Sequence, residues 1–178
     1  VCAVIMVHHD YPAHVRDCHG DAVVAAALLA STLKFDGLLS LQLRGEGPMH
    51  LMLVECTDGL AMRAVARFRD PPVTRDLREL SGNGTLTVTV ESGSGANPYQ
   101  GIVPLAGASM SDCLRAYFDR SEQLPTRLWL CADGESASGL LLQRLPVISR
   151  PAGVTEPGAG GVAEHEIEWL ALLAHEPV

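Results

Sequence analysis

The chain has 178 residues, a formal net charge of −8 and an apolar share of 47%, which suits one domain with a real core plus a tail. Its 13 Lys and Arg are scattered without a cluster, which excludes the basic stripe a nucleic-acid surface needs to displace counterions. The longest apolar run, AVVAAALLA at 22–30, is too short for a bilayer, and VCAVIMV at 1–7 has neither a positive n-region nor a small-residue cleavage site; no membrane contact and a cytoplasmic location are expected.

From Asp10 to Leu33 the pattern is helical. Asp10 is placed to cap, Pro12 suits the first turn, and the second half is apolar on nearly every face, so this helix must be buried. TLKFDG ends it, with Gly37 expected as a left-handed stop. A meander follows. LLSLQLR alternates Leu39, Leu41 and Leu43 with Ser40, Gln42 and Arg44, the two-residue period of a half-buried strand. GEGP turns the chain into MHLMLVEC, and TDG turns it again into LAMRAVARF, where Met62, Ala64, Ala66 and Phe68 share a face opposite Arg63, Val65 and Arg67. Short loops make these three strands antiparallel.

After a short RDLREL segment, GNG precedes TLTVTVE, with Leu86, Val88 and Val90 opposite a row of threonines. YQGIVPL completes a hairpin whose second strand, carrying Gly101 and Pro104, should be an edge or contain a bulge. Ser109 with Asp112 three residues on predicts a capped helix to about Arg120, with Leu114, Tyr117 and Phe118 on one face. TRLWLCA and GLLLQRLP read as a last hairpin. From Pro146 the chain turns Pro/Gly-rich, a flexible linker at 147–163. Residues 164–178 then form a short terminal helix with more apolar surface than it can bury alone.

Cys2, Cys18, Cys56, Cys113 and Cys131 are odd in number and contain no C-x-C or C-x-x-C pair, neither a disulfide framework nor a zinc knuckle. Cys56, Cys113 and Cys131 sit in apolar segments and read as buried, inert thiols. His8, His9, His14, Cys18 and His19 form the densest set of metal-ligand types, and His14 and Cys18 share a helical face, yet the spacing matches no known metal motif. The glycine pairs are not followed by the rest of a dinucleotide or phosphate fingerprint, GASMS and ESASG miss the nucleophile-elbow spacing, and Glu122 has no second titrating partner. No catalytic residue and no enzyme activity are expected. The SEQLPTR corner reads as architecture, with Pro125 stopping a helix and sending the chain into the strand of Trp129.

HDYP, LLASTLKFDG, LQLRGEGPM, MRAVAR, LSGNGTLTVTV, YQGIVPL, YFDRSEQLPTRLWL and GLLLQRLP occur in one order over about His9 to Pro146. In these motifs the chain resembles the bacterial redox-regulated holdase chaperones, the heat-shock proteins of thirty-three kilodaltons. The resemblance implies an N-terminal α+β domain, here 1–146, with antiparallel sheets packed on helices, then a metastable helical linker. In the family a small C-terminal domain follows, whose C-x-C and C-x-x-C cysteines hold zinc when reduced. Oxidation there releases the zinc, unfolds the linker and promotes dimers that hold unfolding clients without ATP. None of the five cysteines here matches those positions, so the expectation is a chain without the zinc domain and without a cofactor. The truncated linker helix would end at 178. VCAVIMV resembles the family's first strand but runs almost directly into HHDYP, where the family has an intervening helix.

The leading functional expectation is therefore an ATP-independent chaperone that binds unfolding proteins, with Ile167, Trp169, Leu170, Leu172 and Leu173 as client-binding residues and room for a homodimer. An inactive, self-associating fragment is the first alternative. A metal- or thiol-dependent enzyme built on residues 8–19 is the weaker one.

Overall fold

The apolar stretch after Pro12 is helix α1, Ala13–Thr32, in a computed structural model that describes residues 10–69, 74–93, 97–105, 107–122 and 124–144. All of these fall in one unit, Val1–Arg144. The VCAVIMV segment, the linker at 147–163 and the helix at 164–178 lie outside the described residues.

A five-stranded antiparallel sheet is built from β1 (Gly37–Arg44), β2 (Met49–Thr57), β3 (Met62–Phe68), β4 (Thr85–Ser92) and β5 (Tyr99–Pro104), in the order β3-β2-β1-β4-β5. A separate hairpin pairs β6 (Thr126–Ala132) with β7 (Ala137–Gln143). The helices are α1, the short α2 (Leu77–Ser81) and α3 (Met110–Tyr117), which runs on into a π-helical turn at Phe118–Glu122. The result is the α+β arrangement of two antiparallel sheets packed on helices.

Period-two alternation decides which face of the large sheet is buried. Leu39, Leu41 and Leu43 of β1 pair with Cys56, Val54 and Met52 of β2 and with Val90, Val88 and Leu86 of β4. They form one continuous apolar face against α1. On its other side α1 meets the hairpin: a Cβ added at Gly139 would lie 2.6 Å from Val24 and 3.1 Å from Leu28. Lying between two β layers explains why α1 is apolar all round, with Ala22, Ala25, Ala26 and Leu29 buried.

Three local expectations are corrected. Asp10 does not cap α1: Pro12 occupies the N-cap position at φ −54°, ψ 151°, and makes no side-chain cap. Gly37 does not stop the helix. The Ser31 and Thr32 hydroxyls take the carbonyls of Leu28 and Leu29, and Leu33 is already extended. Gly37 instead opens β1 at φ +154°, where a Cβ would press on the Glu91 backbone. α3, expected to run to about Arg120, ends as an α-helix at Tyr117, and the wider π turn after it keeps both Tyr117 and Phe118 buried, their rings edge to face at 5.4 Å.

The Ser109 cap is present: its Oγ accepts from the Asp112 N–H at 3.1 Å and lies 2.7 Å from the Asp112 carboxylate. β5 is the edge strand that Gly101 and Pro104 suggest, without a bulge against β4. The corner after the π turn is architectural. The buried Thr126 hydroxyl donates to Leu124 O at 2.9 Å and accepts from Gln143 Nε2 at 3.1 Å, while Arg144 N donates to Pro125 O at 3.0 Å. These bonds fix the open end of the hairpin, where β6 begins and β7 finishes.

Candidate functional site

His8, His9 and Cys2 lie outside the described residues, as do Ile167, Trp169, Leu170, Leu172 and Leu173. His14 and Cys18 do share α1, but among the described residues no group of three or more His, Cys, Asp or Glu side chains is arranged to hold a metal ion. Cys18 Sγ points to the Arg75 carbonyl at 3.5 Å. Burial, and next the nearby Asp21 carboxylate, push its thiol up to about 12. A thiol held protonated is a poor zinc ligand and a poor nucleophile. The described residues therefore do not fit the family's zinc.

Arg75 is the centre of the one polar cluster in this region. Its guanidinium reaches Asp17 at 3.5 Å, Asp21 at 3.8 Å and the Ala132 carbonyl at 3.5 Å, so one side chain ties α1 to the end of β6. Burial raises the Asp21 carboxyl to about 6, against the lowering effect of Arg75 and with a further push from Asp17. Its Oδ1 is buried and makes no hydrogen bond among the described residues. A folded-state value above the ordinary 3.8 means that the native state holds the extra proton, so stability falls as pH rises from about 4 through 6. Asp21→Asn is expected to stabilise the fold at pH 7 by on the order of 1 kcal/mol, discounted for residual solvent contact. That advantage should vanish near pH 4. Urea titrations of both proteins at the two pH values check this.

Cys56 and Cys113 are buried as expected, but Cys131 is exposed. In β6 the residues Thr126, Leu128 and Ala132 are buried, and the alternation puts Cys131 on the opposite, outer face beside Ser138. At pH 8, a thiol reagent should modify Cys131 quickly, while Cys18, Cys56 and Cys113 should react only after unfolding. Peptide mapping of the labelled chain reads this directly.

An apolar cleft of about 260 Å³ is lined by Leu33, Phe35, Val90, Tyr99, Tyr117 and Leu124, among others. It lies where the end of α1, the β4–β5 hairpin and the π turn meet. Leu33 is 42% and Tyr99 47% exposed at its rim, and Ile102, on the opposite face of β5, is 59% exposed. Its polar groups include Lys34, Gln143 and the Tyr117 hydroxyl, which bonds that of Tyr99 at 3.3 Å. On the outer face of the hairpin Trp129 pairs with Leu140, which is 58% exposed. Such surfaces bury apolar groups and offer few directional bonds. Sequence reasoning did not single out Leu33, Tyr99 or Ile102. Ile102 had a signal, since Gly101 and Val103 on either side face inward. Leu33 had none, because its exposure follows from where α1 stops.

Similarity to known proteins agrees with this architecture. The family model described as Hsp33 protein matches residues 1–170. The chain is 49% identical over 173 residues to the 33 kDa chaperonin of Ectopseudomonas mendocina, covering 96% of this chain and 55% of that one. To the 33 kDa chaperonin of Azotobacter vinelandii it is 51% identical over 146 residues, covering 81% and 49%. The chain thus spans about half the length of the curated relatives it matches. The crystal structure of the 33 kDa chaperonin (heat shock protein 33 homolog) from Thermotoga maritima superposes with a TM-score of 0.67 at 23% identity, covering 80% of this chain and 53% of that one, a likeness of fold. With the motif order of the sequence, the two-sheet architecture and the match over residues 1–170 in agreement, the chain belongs to the Hsp33 family.

Proposed function

We propose that this chain is an ATP-independent holdase that binds unfolding proteins and keeps them from aggregating. The observation that carries the reading is the open apolar cleft between α1, β5 and the π turn, with large side chains exposed at its rim. Binding there derives from removing apolar surface from water, at about 25 cal/mol per Å², so client choice is broad. Relatives that cover nearly all of this chain bear the name 33 kDa chaperonin, which supports the same reading.

The finer parts are also proposals. Residues 1–146 form the chaperone domain, 147–163 a linker and 164–178 a helix whose Ile167, Trp169, Leu170, Leu172 and Leu173 add client-binding surface. The protein works in the cytoplasm, and a homodimer is compatible with its exposed apolar groups. The zinc-thiolate switch implied by the resemblance needs C-x-C and C-x-x-C pairs that these 178 residues do not contain. Client binding by this chain is therefore independent of oxidant. Size-exclusion chromatography of the chain with a test enzyme tests the reading: a complex should form without ATP when the enzyme is heated and not when it is native. Failure to recover any complex with the heated enzyme would count against it.

A further inference from the structure

The edge strand β5 suggests how an unfolded segment is held. Leu105 N donates to Gly84 O at 2.9 Å, in the same register that pairs Thr85 with Pro104. In an antiparallel ladder hydrogen-bonded pairs alternate, so Tyr99, Gly101 and Val103 bond to β4. Gln100, Ile102 and Pro104 then direct their backbone groups away from the sheet, and all three are exposed. The opposite edge is treated differently. There the Ala66 N–H donates to the Tyr11 hydroxyl at 3.1 Å, which closes part of β3.

Natural edge strands are usually guarded by charge, bulges or proline. β5 has no charged residue, and its neighbours across β4 on the outer face are Thr85, Thr87 and Thr89. Pro104, which lacks an N–H, guards one end only. The apolar cleft of about 260 Å³ opens beside Tyr99 on the inner side of the same strand, and Ile102 stands exposed on the outer side. An added strand would therefore place alternate side chains next to Ile102 and at the cleft mouth.

A second copy of the chain is a poor occupant. Six residues span about 20 Å at the usual rise, and pairing β5 with itself sets Pro104 opposite Gln100, where a bond is missing at each end. The area buried stays well below the roughly 1,200 Å² of a stable interface. A short, transient, hydrogen-bond-hungry strand fits the site better.

We propose that β5 is a strand-addition site, at which an extended apolar or β-branched segment of an unfolded polypeptide pairs with Gln100 and Ile102. The proposal rests on the holdase reading and specifies its binding mode. Its test uses the full chain with reduced, carboxymethylated lactalbumin, a permanently unfolded probe, and reads binding together with amide hydrogen exchange. Binding should slow exchange at Gln100 and Ile102. Ile102→Lys, which adds a charge at an exposed position, should weaken binding on the order of ten-fold. Leu60→Lys, at the exposed β2–β3 turn, should not. Binding with no protection at β5 and an unaffected Ile102→Lys variant would overturn the strand-addition site and leave the holdase reading intact. No binding of the probe would overturn both. Protection that depends on chain concentration without the probe would mean that a second copy occupies the edge, and would also overturn the proposal.

Discussion

Gly45→Ala is expected to destabilise the fold by about 3 kcal/mol and to lower the melting midpoint by roughly 6 to 12 °C. The GEG turn between β1 and β2 is a contact surface for the end of α2. Gly47 N donates to the Ser81 carbonyl at 2.8 Å, and Gly45 N to His50 O at 3.3 Å. A Cβ at Gly45 would fall against the Ser81 carbonyl oxygen, 2.8 Å from its carbon and 2.9 Å from the Ser81 β-carbon. Backbone cannot rotate away as a long side chain can. The alternative to a clash is to shift α2, whose Leu77 and Leu80 are fully buried, at a cost of part of the ~1.5–3 kcal/mol each contributes. Glu46→Ala, between the two glycines and exposed, should change stability by less than about 0.5 kcal/mol. Urea unfolding of the two variants separates close approach from general sensitivity of the turn. Equal effects would refute this account of the glycines.

Replacing Ile167, Trp169, Leu170, Leu172 and Leu173 together by serine is expected to remove most of the aggregation suppression while the circular dichroism of the folded domain persists. A large apolar side chain contributes about 1.5–3 kcal/mol when fully buried. Even at a third of that, five residues lower client affinity by some 2.5–5 kcal/mol, or roughly 60- to 4,000-fold. The assignment rests on so many apolar residues on one short segment. Light scattering with a heated client enzyme, at equal concentrations of the two proteins, measures the effect. If the five-fold variant protected as well as the parent, client binding would belong to the cleft and β5 without this segment.

Much of the fold is legible in the sequence because its signals are local. The alternation of Leu39, Leu41 and Leu43, and of Leu86, Val88 and Val90, states directly which face is buried. The all-round apolar character of α1 predicts burial, though not that a hairpin would cover its second side. What could not be read depends on partners distant in sequence. Gly37 looks like a helix stop until Glu91 is seen against it. Cys131 looks buried until the register fixes its face. GEG reads only as a turn until Ser81 is seen resting on it. Asp17, Asp21 and Arg75 carry no motif at all, since Arg75 comes from more than fifty residues away. The cleft is similar: its rim residues come from α1, β5 and the corner after the π turn, and only the fold brings them together. The His14 and Cys18 pair shows the converse, a spacing that suits a metal in sequence and a thiol bonded to a backbone carbonyl in the structure.

The most direct test of the central claim is light scattering from a thermally unfolding enzyme, with and without this chain, in reducing buffer and again after peroxide. Suppressed aggregation of similar extent in both conditions is the predicted result, because the surfaces assigned to clients are apolar and involve no switch thiol. Aggregation unchanged by the chain in reducing buffer, with its own circular dichroism that of a folded α+β protein, would contradict the claim.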